Sequence, residues 1–235
     1  EAVDLGSKLF NWEERKQRSG QRNGTKVTGV GVSVSPYVGG SLGYDGLLVI
    51  KPDGKMYIQS GIGNLGTHSV FDTTRAACEV LDFPFEDVSV AWGDTSRHLP
   101  WSASQGGSQT THAHTRANWA AGLDAKRKLQ EIAARDLGGA PDDYDVGGGS
   151  VYHRSNRSRS LSFAQAAERA IQIGGKYDGH ELPEDINPYT AKSATNLAGE
   201  GLMGVARDNF GRDGDTYTFV IGFAEVEVDV ETGHV

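Results

Sequence analysis

Two glycine-rich stretches constrain this chain more than any other feature: Gly61-Ile-Gly-Asn-Leu-Gly-Thr-His-Ser-Val70 and Gln105-Gly-Gly-Ser-Gln-Thr-Thr111. Each leaves a strand-like run and enters a helical one. At such a turn the backbone N–H groups point outward and the helix dipole adds partial positive charge, so the turn suits an anion. Two of them in one chain suit the two ends of a phosphate-bearing cofactor, with plain turns as the alternative reading. Neither matches G-x-G-x-x-G with its acidic follower, and neither carries a P-loop lysine. Glycine is abundant throughout, 32 of 235 residues, and clusters at turns without a repeat period. That pattern calls for many tight turns or for close backbone approach.

Composition excludes several classes. With 37% hydrophobic and 23% charged residues, the chain reads as an ordinary soluble globular protein. A net charge of −8 and a pI near 5.3 argue against a general nucleic-acid binder. No run approaches the length of an apolar membrane span. The single cysteine, Cys78, excludes an internal disulfide and any cysteine-based zinc or iron–sulfur site. Its helical, mostly apolar setting, Arg75-Ala-Ala-Cys-Glu-Val-Leu81, predicts a buried structural thiol. The chain opens without a methionine and stops just after a strand-like run, as a piece of a longer polypeptide or a split subunit would. The expected compartment is the cytoplasm, with the periplasm as the alternative.

Read in order, residues 1–25 form a short helix and linker, and residues 26–235 a second region. Residues 26–34 predict a strand, and 36–46 a glycine-rich loop. Residues 47–51 and 55–60 predict a hairpin about Pro52-Asp-Gly54. After the first glycine turn, Val70, Phe71, Thr74, Ala77, Cys78 and Leu81 share one helical face, and Pro84 stops the helix. Residues 88–92 predict a short strand. The longest helix follows the second glycine turn, with Ala117, Ala121, Ala125, Leu129, Ile132 and Ala133 as its inner stripe. It ends at Gly138-Gly139 before Pro141. An alanine stripe predicts very close packing. A turn and one short strand are expected over 142–157, and a capping box at Ser162-Phe-Ala-Gln165 starts a further helix. Residues 176–213 read as irregular. Residues 216–230 predict a half-buried strand with Val226, Val228 and Val230 inward and Glu225, Glu227 and Asp229 solvated. Strands and helices interleave without a strict βαβ rhythm, which predicts an α+β fold of mixed sheets packed with helices.

Other constellations carry less. Gly39-Gly-Ser-Leu-Gly43 has the letters of a nucleophile elbow, but a strand follows Ser41 where that motif requires a helix. At a helix start, His112 and His114 diverge by about 200° and do not share an ion. His68 sits at a helix N-terminus inside the first turn. Asp94, in Gly93-Asp-Thr95, predicts a turn-stabilising carboxylate. Glu200 has no His or Lys beside it in sequence.

Together these residues resemble the molybdopterin-binding large subunit of the xanthine dehydrogenase, aldehyde oxidase and carbon monoxide dehydrogenase family. The resemblance runs through the hairpin at Pro52-Asp-Gly54 and the first glycine turn. Phe83-Pro-Phe-Glu-Asp-Val88, Gly93-Asp-Thr95 and Gly107-Ser-Gln-Thr-Thr111 continue it. The alanine helix and Phe223-Ala-Glu-Val-Glu-Val-Asp-Val-Glu-Thr-Gly233 complete it. It implies a molybdenum hydroxylase that inserts water-derived oxygen into an aldehyde or N-heterocycle. Electrons would leave through FAD and 2Fe-2S clusters in partner subunits. The cofactor would be molybdopterin, as the cytosine dinucleotide, held by Gly66, Thr67, His68, Gly107, Ser108, Gln109, Thr110 and Thr111.

Two positions depart from the family's pattern. Its first turn reads Gly-Gln-Gly where this chain has Gly66-Thr-His68, and its second reads Gly-Ser-Arg-Ser where this chain has Gly107-Ser-Gln-Thr110. The family's general-base glutamate follows the Glu-Val-Glu-Val-Asp strand, so Glu200 does not take that role. The expectation is a chain that is inactive alone and is completed by the rest of its own subunit or a second molybdopterin-binding chain. Rival readings are a non-catalytic scaffold of the same fold and a hydrolase using Ser41.

Overall fold

The computed structural model describes residues 1–40, 43–211 and 217–235. Ser41 and Thr216, named above in the elbow and at the start of the last strand, lie outside the described residues. The chain divides into two units, one made of residues 1–39 and 214–235 and the other of 40–213.

In the first unit, helices α1 (Ala2–Phe10) and α2 (Trp12–Arg15) and a 3₁₀ turn at Lys16–Arg18 precede the two-residue strand β1 (Arg22–Asn23). Strand β2 (Lys26–Val38) then pairs along its whole length with the last strand of the chain, β10 (Tyr217–Asp229). β2 runs four residues further than its sequence predicts, through Pro36. It can do so because β1 pairs only with Val27 and Lys26, leaving one edge of β2 unpaired at the proline. The predicted facing of β10 is reversed around Glu225 and Val226, while Glu227 is exposed and Val228 half-buried as expected. Phe223 stacks on Phe10 and meets Trp12 edge-on, and Glu225 pairs with Arg15 and Arg18, so the carboxylate face is the covered one. Val226 is 42% exposed. Along most of this sheet only β2 and β10 pair, so neither face is a core by default, and the side that receives the helices becomes the inner one.

The second unit is built on a four-stranded sheet of order β5-β4-β3-β9. Its strands are β3 (Asp45–Ile50), β4 (Met56–Gln59), β5 (Val88–Ala91) and β9 (Leu202–Arg207). The predicted hairpin is the β3–β4 pair, antiparallel with Leu47 opposite Gln59. β3 is central and wholly buried, which explains its unbroken apolar run. β4 and β5 are parallel neighbours, with Gln59 opposite Ala91.

Their crossover holds the predicted 70–81 helix as two pieces, α3 (Ser69–Asp72) and α4 (Arg75–Leu81). The break falls where the Thr73 and Thr74 hydroxyls donate to the carbonyls of Ser69 and Phe71. Such back-bonding competes with the helix ladder. Cys78 is buried, as expected, and its burial pushes the thiol up to about 11.

Helix α5 (Thr115–Leu137) lies on one face of the sheet with every residue of the predicted stripe buried. The alanines let it come very close. A Cβ on Gly46 of β3 would overlap the Ala117 carbonyl, and one on Gly204 of β9 would lie 2.5 Å from the Ala121 carbonyl oxygen. Leu48, Ile50, Met56 and Ile58 fill this side with Leu129 and Ile132.

The same helix closes the free edge of β9. Asp124 accepts from the Val205 N–H at 2.9 Å and pairs with Lys128, whose ammonium donates to the Met203 carbonyl at 2.8 Å. Beyond the 3₁₀ turn Pro141–Asp143, the expected single strand of 142–157 is instead a meander. It consists of β6 (Tyr144–Gly147), β7 (Ser150–His153) and β8 (Asn156–Ser162). The Ser162 capping box forms as predicted at the head of α6 (Phe163–Ile173). Within residues 176–211, expected to be irregular, two regular elements form among the turns: α7 (Pro188–Thr195), capped by the Asn187 side chain, and β9. α7 covers the second face of the sheet, where Leu47, Val49, Met203 and Val205 meet Ala194. The whole is the expected α+β arrangement of mixed sheets and helices.

Because the helix backbone already fills the space at Gly46, a methyl group there has no room to relax. Gly46→Ala is expected to lower unfolding stability by about 2–3 kcal/mol or more. Gly222→Ala, with open space around it, should leave stability within about 0.5 kcal/mol of the parent. Thermal unfolding of the two variants checks this.

Candidate functional site

The first glycine turn leaves the carboxyl end of β4, and the second follows the loop of residues 92–104 that leaves the carboxyl end of its parallel neighbour β5. In open sheets that end is where ligands bind, because backbone groups released from the ladder point outward there. The two turns are tied at their bases. The Gln105 side-chain amide takes both backbone groups of Gly63, accepting from its N–H at 3.0 Å and donating to its carbonyl at 2.7 Å. The Ser102 hydroxyl donates to the Gly61 carbonyl at 3.0 Å. Gly61 must be glycine, since a Cβ would overlap the Pro100 carbonyl.

The predicted site residues fall on these two tips. Gly66, Thr67 and His68 are exposed at the first. Gly66 is in the left-handed region at φ 83°, its N–H held by the Asn64 side chain at 2.9 Å, and nothing lies within 4 Å of where its Cβ would be. His68 also adopts positive φ, 55°, directly before α3, and Thr67 shares a hydrogen bond with Ser69 at 2.9 Å. At the second tip Gly107 and Ser108 are exposed with φ of 62° and 52°. Their N–H groups have no partner among the described residues, and the Gly107 carbonyl accepts from Gly40 at 2.9 Å. Gln109 donates to the Ser104 carbonyl. Thr110 is buried and Thr111 exposed. No hydrogen bond among the described residues joins 66–68 directly to 107–111; the bases of the turns make the link. Open space at Gly66 and Gly106, with free N–H groups at Gly107 and Ser108, fits an oxyanion or the edge of a flat ring.

Beneath the turns lies a layer that sequence reasoning touched only in part. The predicted helix start is a π-turn, Thr110–His114, a form that concentrates at functional sites. It carries His114 fully inside, where Nε2 meets the Ser60 hydroxyl at 3.1 Å and the ring packs on Tyr44. Burial pushes the His114 pKa down to about 4, so the imidazole is neutral at pH 7. Tyr44 in turn donates to the Ala103 carbonyl at 3.2 Å and meets Trp101 edge-on. His112 lies beside Gly40 instead, with its ring 3.0 Å from that residue's Cβ position, so the two histidines serve different neighbours. Among the described residues no group of three or more His, Cys, Asp or Glu is placed to hold a metal ion. The signal for this layer was present in Gln105 and Ser60, polar residues at the feet of the turns, but their pairing depends on long-range contacts.

The remaining candidates take structural places. Asp94 accepts from the Ser96 hydroxyl and N–H, which hold its carboxyl below the usual range, the turn role its sequence predicts. Glu200 does have a partner: Lys51, at the end of β3, pairs with it at 2.7 Å.

Residues 5–235 match the family model described as molybdopterin cofactor-binding domain. The aldehyde oxidoreductase molybdenum-binding subunit PaoC of Escherichia coli O157:H7 is 30% identical over 181 residues, 74% of this chain and 24% of that protein. The putative xanthine dehydrogenase molybdenum-binding subunit XdhA of Escherichia coli (strain K12) is 25% identical over 139 residues, 57% of this chain and 18% of that protein. Among solved structures, the reconstituted CO dehydrogenase from Oligotropha carboxidovorans superposes with a TM-score of 0.56 at 17% identity. It covers 98% of this chain and 27% of that one. Quinoline 2-oxidoreductase from Pseudomonas putida 86 gives 0.50 at 19% identity, over 99% of this chain and 29% of that one. These two likenesses are of fold. The chain thus spans a quarter or less of the length of the curated relatives it matches.

Neutral, buried His114 predicts an acid limb of stability. Below pH 6.5 the unfolded chain binds a proton that the folded chain refuses until about pH 4. Its contribution is therefore complete above pH 6.5 and is lost as pH falls toward 4, by up to about 3 kcal/mol. Urea unfolding of the parent and His114→Leu between pH 7 and 4 should show the variant lacking that part of the slope.

Proposed function

Since the chain belongs to the molybdopterin cofactor-binding domain family, matched along residues 5–235, we propose that it is the cofactor-holding part of a molybdenum hydroxylase. The observation that carries this reading is the pairing of the two glycine turns beyond the carboxyl ends of β4 and β5, joined through Gln105 and Gly63.

In this proposal Gly66, Thr67 and His68 hold one end of a molybdopterin cytosine dinucleotide, and Gly107, Ser108, Gln109, Thr110 and Thr111 the other. Residues 26–235 are then an incomplete cofactor-binding domain, preceded by the helices of 1–25. The bound cofactor would supply hydroxylation of an aldehyde or N-heterocycle with oxygen from water, its electrons leaving through 2Fe-2S clusters and FAD in partner subunits. What this chain's residues do is bind and orient. The N–H groups of Gly107 and Ser108 offer hydrogen bonds to phosphate oxygens. Positive φ at Gly66, His68 and Ser108 turns the backbone toward the ligand. His114, uncharged and braced on Ser60, holds the floor of the turns without placing a charge under them. No general base is assigned within the chain, so the site is completed by another segment or subunit.

Metal and pterin analysis of the intact complex from its native source tests this. Molybdenum and a fluorescent oxidised pterin are expected. Gln105→Leu, which releases both backbone groups of Gly63, should reduce cofactor retention about tenfold, the effect of about 1.4 kcal/mol. A parent complex containing neither metal nor pterin would instead make this a non-catalytic scaffold of the same fold.

A further inference from the structure

The sheet face carrying α7 is only partly covered. α7 packs over β3 and β9, and a pocket of about 640 Å³ remains over β4 and β5, closed at one end by the loop after β5. That volume lies within the usual range for small-molecule sites. One buried polar side chain in its floor has no partner among the described residues, and a second polar side chain lies beside it. The Ser193 hydroxyl, on a residue 1% exposed, is buried without a hydrogen bond, and the side chain of Gln59, 8% exposed, lines the same floor. Buried polar groups without partners are uncommon and costly, because each has lost its water without a replacement. Here the Ser193 hydroxyl borders a cavity. Val49 and Leu197 give the same floor an apolar part.

The charge of the lining also stands out against the rest of the chain. Lys51 pairs with Glu200, the one carboxylate in the lining, while Arg97 and His98 are exposed at the rim. The external partner of Arg97 is Asp94, 3.5 Å away and not part of the lining. Over the lining alone, Lys51 and Arg97 exceed Glu200 by one positive charge, in a chain of net charge −8. None of the cofactor residues proposed above lines the pocket.

We infer that this pocket binds a small organic anion, a carboxylate or phosphate head on a short apolar body. The head is met by Arg97 and His98, polar atoms of the ligand by Gln59 and Ser193, and the body by Val49 and Leu197. The inference stands apart from the molybdenum reading.

Isothermal titration of the intact complex with valerate, butyl phosphate and uncharged 1-pentanol tests it. Saturable binding of either anion, and not of the alcohol, is expected; which anion binds identifies the head group. Ser193→Ala and Arg97→Gln should each weaken that binding about three- to tenfold, the range of one hydrogen bond or screened charge. Ser193→Ala should leave the melting temperature unchanged or higher, since the hydroxyl it removes has no partner, and both variants should retain the parent's metal content. Failure of both anions to bind, equal binding of pentanol, or a lowered melting temperature in Ser193→Ala would overturn the inference. Metal content is read separately, so this result and the cofactor result can fail independently.

Discussion

The close approach of α5 to the sheet governs the larger unit. At Gly46 and Gly204 the helix backbone occupies space that any side chain would claim, and the alanines of its inner stripe permit the contact. Dispersion is short-ranged, so a helix seated this near gains contacts along its whole length. Its position also sets everything at its amino end. The π-turn that precedes α5 carries His114 under the first glycine turn, so the depth of the helix fixes the height of the platform on which both turns rest.

The same helix does a second task with polar groups. Asp124 and Lys128 stand one helical turn apart and take up the outward Val205 N–H and Met203 carbonyl of β9. An edge strand otherwise presents unpaired backbone groups. Closing the edge from the side chains of a helix lets β9 remain short. It also places a buried ammonium where carboxylate and carbonyl both satisfy it, which is the condition under which a buried charge is tolerated.

Much of this was legible in local pattern. The hairpin at Pro52-Asp-Gly54, the alanine stripe, the capping box at Ser162 and the buried Cys78 each depend on residues near one another in sequence. What was missed depends on distant partners. β9, Leu202-Met-Gly-Val-Ala-Arg207, has no alternation because it is buried on both faces at β3, and its edge is completed by α5. The facing of β10 around Glu225 and Val226 was inverted because the deciding contacts come from Phe10, Trp12 and Arg15, at the far end of the chain. At the site, the glycine turns were visible as glycines. Their union was not, because it rests on one glutamine amide mimicking a backbone partner for Gly63.

The smaller unit is assembled from both ends of the chain. β2 and β10 pair over thirteen residues each, with Tyr217 opposite Val38, yet all of 40–213 intervenes. Closing so long a loop from an unfolded chain carries an entropic cost that grows slowly with length, and contacts of that separation form late. Folding of residues 43–211 beforehand leaves far less free chain to be closed when the two strands pair. Chain connectivity alone thereby links the stability of the ribbon to that of its insert.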